Sequence, residues 1–168
     1  MTEVSGARAA GRSRSVERVA AALRAAGVTA TVTTVAEGAR TAADAARSIG
    51  CSVDQIAKSI VLRPEDGHPP VVVVARGGRR VDVGKVAAHL GVAVIQADPA
   101  YVRERTGFAV GGVAPVGHTG PATVLLDAGL LALPEVWAAA GAPHAVVRLT
   151  PEELVRLTGA PPVDVTDP

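Results

Sequence analysis

The feature that most limits how this 168-residue chain can fold is a pair of apolar runs in its first half. Residues 57–63 and 70–76 are rich in valine and other apolar residues, and the connector 64–68 holds proline, glycine and charged residues. Two such runs joined by a short turn-forming segment predict a β-hairpin. Gly77 and Gly78 should end its second strand. We therefore expect a sheet built around an antiparallel pair.

Further helices and strands are predicted on both sides of this hairpin. Helical spacing, capping residues and closing glycines predict helices at 15–26, 41–49, 82–90, 98–106 and 150–158. Runs of β-branched and apolar residues predict strands at 29–35, 92–97, 122–127, 136–140 and 144–149. Because hairpin signals mix with crossover helices, the sequence predicts one α/β domain on a mixed, strongly bent sheet or small barrel.

Length and charge restrict the organisation of the chain and its partners. One domain with a sizeable core accounts for the length, and we expect it at 15–168, after a disordered basic arm at 1–14 that lacks an apolar signal core. The net charge of +1 attracts polyanions weakly, so contact with nucleic acid requires a local basic cluster. The apolar runs are shorter than the roughly 20 residues of a membrane-spanning helix, and no membrane partner is predicted.

The sequence lacks the residues that several common kinds of functional site require. Cys51 is the only cysteine, which excludes an intramolecular disulfide and suits a reducing cytoplasm. The four histidines share no short metal-ligand spacing, and no Gly-x-Ser-x-Gly motif of a serine hydrolase occurs. The aromatic residues Tyr101, Phe108 and Trp137 are too few for a base-stacking platform. We predict no metal and no cofactor.

Lys58 is the first candidate functional residue, because lysine is so scarce here. Of the 17 basic residues only Lys58 and Lys85 are lysine. Lys58 lies within 55–62 and has apolar residues on both sides. A lysine is costly to bury unless its ammonium meets an anion or serves a reaction. The alternative is a lysine at a strand edge or end whose ammonium reaches water.

The second candidate is the glycine-rich loop, residues 107–118. Its glycines let the backbone approach a ligand and present successive N–H groups to it, and Pro115 stiffens the chain. The loop matches neither the phosphate-loop pattern nor the dinucleotide fingerprint. The alternative is an ordinary surface turn.

Several segments, taken in order, resemble one known family. They are residues 41–46, 55–61, 80–82, 106–108, 111–115, 125–127, 149–154 and 157–160. From about Val16 to Thr166 the chain resembles the YbaK-type, prolyl-tRNA-synthetase-associated editing domains, which trans-edit misacylated tRNA. The resemblance implies a mixed sheet curled into a barrel-like body with surrounding helices. It also implies a deacylase that hydrolyses the ester between a wrong amino acid and the terminal adenosine of a tRNA, without a metal or a covalent nucleophile.

The resemblance also implies roles for single residues. Lys58 matches the essential lysine, which would hold the backbone or terminal adenosine of the acceptor end, and Ser59 matches a small hydroxyl donor. Gly111, Gly112 and Pro115 match a Gly-x-x-x-Pro loop, whose backbone would orient the attacking water or the terminal hydroxyl of the substrate.

Four further residues are expected to shape the substrate pocket. Phe108 leads into the loop, and Asp127 matches a pocket carboxylate for the substrate ammonium, although a carboxylate at a strand end can also cap the next turn. Ala139 stands where many members carry a pocket serine, and His144 where some branches use a histidine to limit pocket size; a surface histidine, or one whose hydrogen bonds are satisfied, is the alternative.

The expected partner is the acceptor end of a misacylated tRNA, typically a tRNA for proline carrying a small amino acid such as Ala or Cys. An aminoacyl-tRNA synthetase is a second candidate partner. Because Ala139 lacks a hydroxyl, a catalytically inactive tRNA- or nucleotide-binding accessory module is the alternative function. A purely structural domain is a third interpretation, and it predicts no tRNA affinity.

Overall fold

A computed structural model of the chain describes residues 2–35 and 39–168, with the side chains from Arg14 onward. Its helices are α1 (Thr2–Ala25), α2 (Ala42–Ile49), α3 (Val83–Leu90), α4 (Pro99–Thr106) and α5 (Pro151–Thr158). Its strands are β1 (Val32–Thr34), β2 (Ile56–Pro64), β3 (Val71–Arg76), β4 (Val94–Gln96), β5 (Thr123–Asp127), β6 (Val136–Ala139), β7 (Ala145–Leu149) and β8 (Pro162–Val163). Helix α1 begins well before the helix predicted at 15–26 and runs through most of the arm predicted to be disordered at 1–14. The side chains before Arg14 lie outside the described ones, and the division of the chain after residue 14 stays a prediction.

Local capping interactions set the ends of α2 to α5, as predicted. At each N-terminus a Thr or Asp side chain accepts a hydrogen bond from the backbone N–H three residues later. The capping residues are Thr41, Asp82, Asp98 and Thr150. Each of these helices ends at a glycine in the left-handed conformation, which a residue without a Cβ adopts at little cost.

The strands form one mixed sheet in the order β1-β7-β6-β2-β3-β5-β8, with β4 paired to β2. The predicted hairpin is confirmed, since β2 and β3 pair antiparallel from Ala57↔Arg76 to Leu62↔Val71. On its two sides β6 joins β2 and β5 joins β3, both in parallel. The edge strands β1 and β8, of three and two residues, stand at opposite ends of this order and do not meet. The predicted α/β domain on a mixed sheet with surrounding helices is confirmed, but the sheet is open and does not close into a barrel.

Two apolar clusters lie on the two faces of the hairpin. On one face Val72 and Val74 pack in a cluster that also holds Val19 and Leu23 of α1 and Phe108 of the glycine-rich loop. On the other face Leu62, Val71 and Val73 pack with residues from α3, β4 and the C-terminal segment. Alternate residues of a strand point to opposite faces, which divides the valines between the clusters. Helix α1 and the glycine-rich loop are thereby brought together on one side.

Some elements differ from the prediction. The strands predicted at 29–35 and 92–97 are only three residues each, and β8 and a 3₁₀ turn at Ala128–Ala132 are not predicted from the sequence. β8 pairs in parallel with β5 over two residues, a contact that the local sequence does not encode. Within the described ranges, no helix is long and apolar enough to cross a membrane, and no three His, Cys, Asp or Glu side chains are grouped as metal ligands would be.

Candidate functional site

Four of the predicted site residues meet in one cavity of about 300 Å³. Lys58 and Ser59 reach it from β2, Ala139 from β6, and Gly111 from the tip of the glycine-rich loop. The parallel pairing of β2 with β6 explains why residues so distant in sequence line the same space. Arg40 and Thr41 add polar groups at one side. The rest of the wall is largely apolar and consists of Val35, Ala39, Ala42, Ala45, Ile56, Ala57, Ile60, Val110, Val113, Trp137, Pro143 and Val146. The cavity can therefore enclose a small, mainly aliphatic group.

Lys58 places a half-buried ammonium at this cavity. Its Nζ donates a hydrogen bond of 3.3 Å to the carbonyl oxygen of Gly77. Burial lowers the pKa of Lys58 below its ordinary value, the charge of Arg80 lowers it further, and Asp54 acts in the opposite direction. An anion placed beside the ammonium would offset this cost of burial. Lys58 thus faces the site instead of extending into bulk water.

A basic groove of about 350 Å³ begins at Lys58 and leads away from the cavity. It is lined by Lys58, Ile60, Gly77, Gly78, Arg79, Arg80, Val81 and Gln96. The residues described along this groove include three cations and no carboxylate. Lys58 and Ile60 line both the groove and the cavity. This is the local basic cluster that a chain of low net charge needs for contact with a polyanion. No motif in the sequence indicates a role for Arg79 and Arg80.

Buried polar atoms without a hydrogen-bond partner gather around the cavity. Within the described part of the chain they are Ser59 Oγ, Trp137 Nε1 and His144 Nδ1. Ser59 and Trp137 line the cavity, and His144 follows Pro143, which also lines it. Because nearly all buried polar groups in proteins are hydrogen-bonded, Ser59 Oγ and Trp137 Nε1 are available to bond a polar group that enters the cavity. From the sequence, Trp137 is predicted only as a strand residue and one of few aromatic residues.

The glycine-rich loop is held in place by close backbone packing. Gly111, at the cavity, has a φ of 88°, which favours glycine. Gly112 is buried and does not line the cavity; a Cβ added there would lie 3.0 Å from the backbone of Ala142, in the turn between β6 and β7. Pro115 is buried. Gly111 therefore forms part of the cavity wall, whereas Gly112 and Pro115 hold the loop that carries it.

His118 stiffens the end of this loop. Its Nε2 lies 2.9 Å from the carbonyl oxygen of Ala114 and donates a hydrogen bond to it. Burial lowers the pKa of His118, the bond to Ala114 opposes this shift, and the charge of Arg18 adds to it. The loop consequently favours a neutral imidazole.

Phe108 lies in the core beneath the loop, not along the cavity. It is 1% exposed, the guanidinium carbon of Arg18 lies 5.0 Å from the centre of its ring, and His118 meets it edge-on at 5.8 Å. The expectation that Phe108 contacts substrate does not fit this placement. Its aromatic ring instead supports the backbone from which the loop extends.

Asp127, also expected in the pocket, is 1% exposed and fully engaged elsewhere. Its carboxylate accepts hydrogen bonds from Arg76 Nε at 2.8 Å, from the Arg76 backbone N–H at 3.0 Å and from the Gly129 N–H at 3.0 Å. Burial alone would raise the pKa of Asp127, but the bonds from Arg76 and Gly129 outweigh it, so the pKa lies below its ordinary value. The structure thus shows the alternative geometry, a carboxylate that caps the next turn.

Ala139 and His144 lie on the two sides of the turn between β6 and β7. Ala139 shares a strand face with Trp137 and presents a methyl group to the cavity. The ring of His144 is not among the groups described along the cavity wall, but its carbonyl oxygen accepts a hydrogen bond of 2.8 Å from Val35 N–H. His144 therefore contacts a residue of the cavity wall, Val35, through its backbone.

Comparisons with known proteins give relatives that match most of this chain. A family model described as the aminoacyl-tRNA editing domain matches residues 36–157, which include every lining residue of the cavity except Val35. The chain is similar to the crystal structure of a proposed trans-editing enzyme for prolyl tRNA synthetase, with 44% identity and a TM-score of 0.85, covering 92% of this chain and 98% of that one.

Two further relatives extend the comparison. A structure from the computational grafting of linear epitopes onto scaffold proteins is 41% identical, with a TM-score of 0.86, and covers 92% of this chain and 98% of that one. The uncharacterized protein YwhH of Bacillus subtilis (strain 168) is 35% identical over 123 residues, which are 73% of this chain and 78% of the relative.

Proposed function

Because the chain belongs to the aminoacyl-tRNA editing domain family, we propose that it is a deacylase that hydrolyses the ester bond of misacylated tRNA in the cytoplasm. The observation that carries the proposal is the meeting of Lys58, Ser59 and Gly111 at one cavity, next to a basic groove. The similarity to a proposed trans-editing enzyme for prolyl tRNA synthetase favours a tRNA for proline and a synthetase as a second partner. The removed amino acid is small, such as Ala or Cys.

The two spaces suit the two ends of such a substrate. The cavity takes the aminoacyl group, because its wall is mainly apolar and its volume of about 300 Å³ suits a small side chain. Trp137 Nε1–H, which lacks a partner in the protein, donates a hydrogen bond to an ester oxygen. Ser59 Oγ, which also lacks one, accepts a hydrogen bond from the substrate amino group or donates one to the ester. The groove takes the phosphates of the acceptor end, which Arg79 and Arg80 attract.

Catalysis then depends on position and charge. A water molecule, oriented by backbone groups near Gly111 or by the terminal hydroxyl of the tRNA, attacks the ester carbonyl carbon. The bond from that carbon to the ribose oxygen breaks, the ribose oxygen takes up a proton, and the free amino acid leaves. Lys58, between groove and cavity, holds the terminal nucleotide and stabilises developing negative charge in a site partly shielded from water.

A catalytically inactive tRNA-binding module is the second candidate function. Ala139 favours it, since this residue gives the cavity a methyl group where a hydroxyl would supply a polar contact. Such a module would bind mischarged tRNA tightly and leave the ester intact.

The test is single-turnover deacylation of proline tRNA charged with Ala, Cys, Ser or Thr. We expect the wild type to hydrolyse at least one of them and Lys58→Ala to lower that rate by roughly 100-fold or more, the usual effect of losing a group that stabilises charge in the transition state. Lys85→Ala is the matched control. Lys85 is the only other lysine in the chain, and it pairs with Asp164 outside the cavity and the groove.

Each outcome of this test has a clear meaning. Equal rates for wild type and Lys58→Ala would remove the lysine from the mechanism. Tight binding of mischarged tRNA by the wild type without hydrolysis would favour the inactive binding module. Absence of both binding and hydrolysis would contradict the two proposals together.

A further inference from the structure

Arg18 of α1 lies behind the glycine-rich loop and binds both of its ends. Its Nη2 donates a hydrogen bond of 2.7 Å to the carbonyl oxygen of Gly107, and its Nε donates one of 3.1 Å to the carbonyl oxygen of Gly117. One guanidinium thus joins the first and the penultimate residue of the loop. The helix that supplies it is anchored in the core through Val19 and Leu23.

The loop is shaped to let this arginine approach. A Cβ added at Gly107 would meet the Thr119 side chain and would lie 2.8 Å from Arg18 Nη2, and one added at Gly117 would lie 3.3 Å from the Arg18 backbone. The guanidinium also stacks on Phe108, whose ring is buried directly after Gly107. These contacts come from both ends of the loop and from the ring beneath it, so Arg18 fixes the base of the loop in more than one direction.

The tip of the same loop forms part of the cavity. Val110, Gly111 and Val113 line it, between the two ends that Arg18 joins. A planar guanidinium offers several N–H donors in a fixed fork and can hold two carbonyl oxygens at a set separation, whereas a lysine ammonium is a single point charge on a flexible stem. The separation of the loop ends, and with it the position of Gly111, therefore depends on an arginine.

We propose that Arg18 is a positioning residue for the deacylation reaction. It does not line the cavity, and it acts by holding the backbone at Gly111 where the attacking group must be oriented. The inference rests on the proposed function. If Arg18 holds the loop, its loss should also loosen the loop backbone, which can be measured without an activity assay.

The first measurement separates binding from the chemical step. We expect Arg18→Gln to lower the single-turnover rate constant at saturating mischarged tRNA by about 10- to 100-fold, the size of effect caused by misplacing reacting groups by about 1 Å. The Kd for the tRNA should change less than about twofold, since Arg18 is outside the groove. Arg18→Lys should give an intermediate rate. The matched control is Arg24→Gln on the same helix, which removes an exposed arginine paired with Glu17 and should leave the rate unchanged.

The second measurement is hydrogen exchange of the loop amides at 108–117. We expect faster exchange in Arg18→Gln than in wild type and Arg24→Gln, with the amides of β2 and β3 unchanged. Should Arg18→Gln fail to fold, the same measurements on Arg18→Lys decide, because this variant keeps the charge and the aliphatic stem.

Several results would overturn the inference. One is a single-turnover rate constant equal to that of the wild type in Arg18→Gln or in Arg18→Lys. Another is a variant that binds tRNA more weakly but keeps the wild-type rate constant at saturation. The third is hydrogen exchange of the loop amides that does not change. If the wild type hydrolyses no mischarged tRNA, the proposed function fails, and the exchange result alone then decides whether Arg18 holds the loop.

Discussion

At the scale of single residues, the buried ion pair of Arg76 and Asp127 stabilises the fold. Asp127 is the carboxylate expected in the substrate pocket, but it binds Arg76 instead. Asp127 ends β5, Arg76 ends β3, and the parallel pairing of these strands brings the two ends together. The Arg76 guanidinium also donates to Thr166 Oγ1 at 3.3 Å, which joins the C-terminal segment to the pair. The ion pair therefore connects three parts of the chain near the end of the hairpin.

We predict that Asp127→Asn lowers the free energy of unfolding at pH 7 by about 2–3 kcal/mol, because it leaves the half-buried Arg76 without its anion. The pKa of Asp127 is lower in the folded protein, so its contribution is complete above the ordinary value of 3.8 and is lost as the pH falls through the folded value. Denaturant titrations at pH 7 and pH 3 should show the difference between variant and wild type shrinking in acid. The exposed Glu104→Gln serves as control, and a constant difference would contradict the prediction.

At the scale of elements, the glycine-rich loop illustrates a segment without regular structure that is nevertheless fixed. It rests on α1 through Arg18 at its ends and on Ala142 through Gly112 near its tip. These contacts join three segments that are remote in sequence. The shape of the cavity thus depends on backbone approaches that only residues without a Cβ permit.

We predict that Gly112→Ala lowers the single-turnover deacylation rate by about tenfold, because the new methyl group would meet the Ala142 backbone at 3.0 Å and displace the loop. Gly120→Ala is the matched control, since a Cβ there meets only the Arg105 carbonyl oxygen at 3.5 Å, an ordinary contact. The rates are measured with the best substrate of the charged-tRNA panel. Equal rates for the two variants would show that the packing of the loop against Ala142 does not affect the deacylation rate.

At the scale of the whole molecule, positive charge is concentrated in the basic groove, so phosphates are attracted there and not over the whole surface. The chain carries a net charge of only +1, yet the basic groove holds Lys58, Arg79 and Arg80. A weak overall field gives little long-range steering, whereas phosphates that enter the groove meet three cations at short range. Binding of an acceptor end should therefore depend strongly on this groove and on salt.

We predict that the double variant Arg79→Gln, Arg80→Gln weakens binding of different tRNAs to a similar extent. It should also reduce the slope of log K against log salt by about one for each phosphate that the arginines no longer neutralise. Arg103→Gln with Arg156→Gln removes the same charge from exposed positions outside the groove and is the control. Filter binding at several salt concentrations gives the slope. An equal reduction of the slope in both double variants would refute a specific role for the groove.

Much of the fold and part of the site could be predicted from the sequence. The hairpin, the four capped helix starts and the glycine stops depend on residues a few positions apart, so local patterns reveal them. Lys58 was singled out by the scarcity of lysine, and Ser59, Gly111 and Ala139 by resemblance; all four line the cavity. Their chemical roles stay predictions.

The amino-acid sequence by itself determined where most helices and strands begin and end, because caps, turns and alternation act over a few residues. Only the tertiary structure decided that β2 pairs with β6, that Arg76 forms an ion pair with Asp127, and that Arg18 binds both ends of the loop. The reason is distance along the chain, since each of these contacts joins segments dozens of residues apart. Such contacts depend on how the faces of the sheet pack together, which no local pattern encodes.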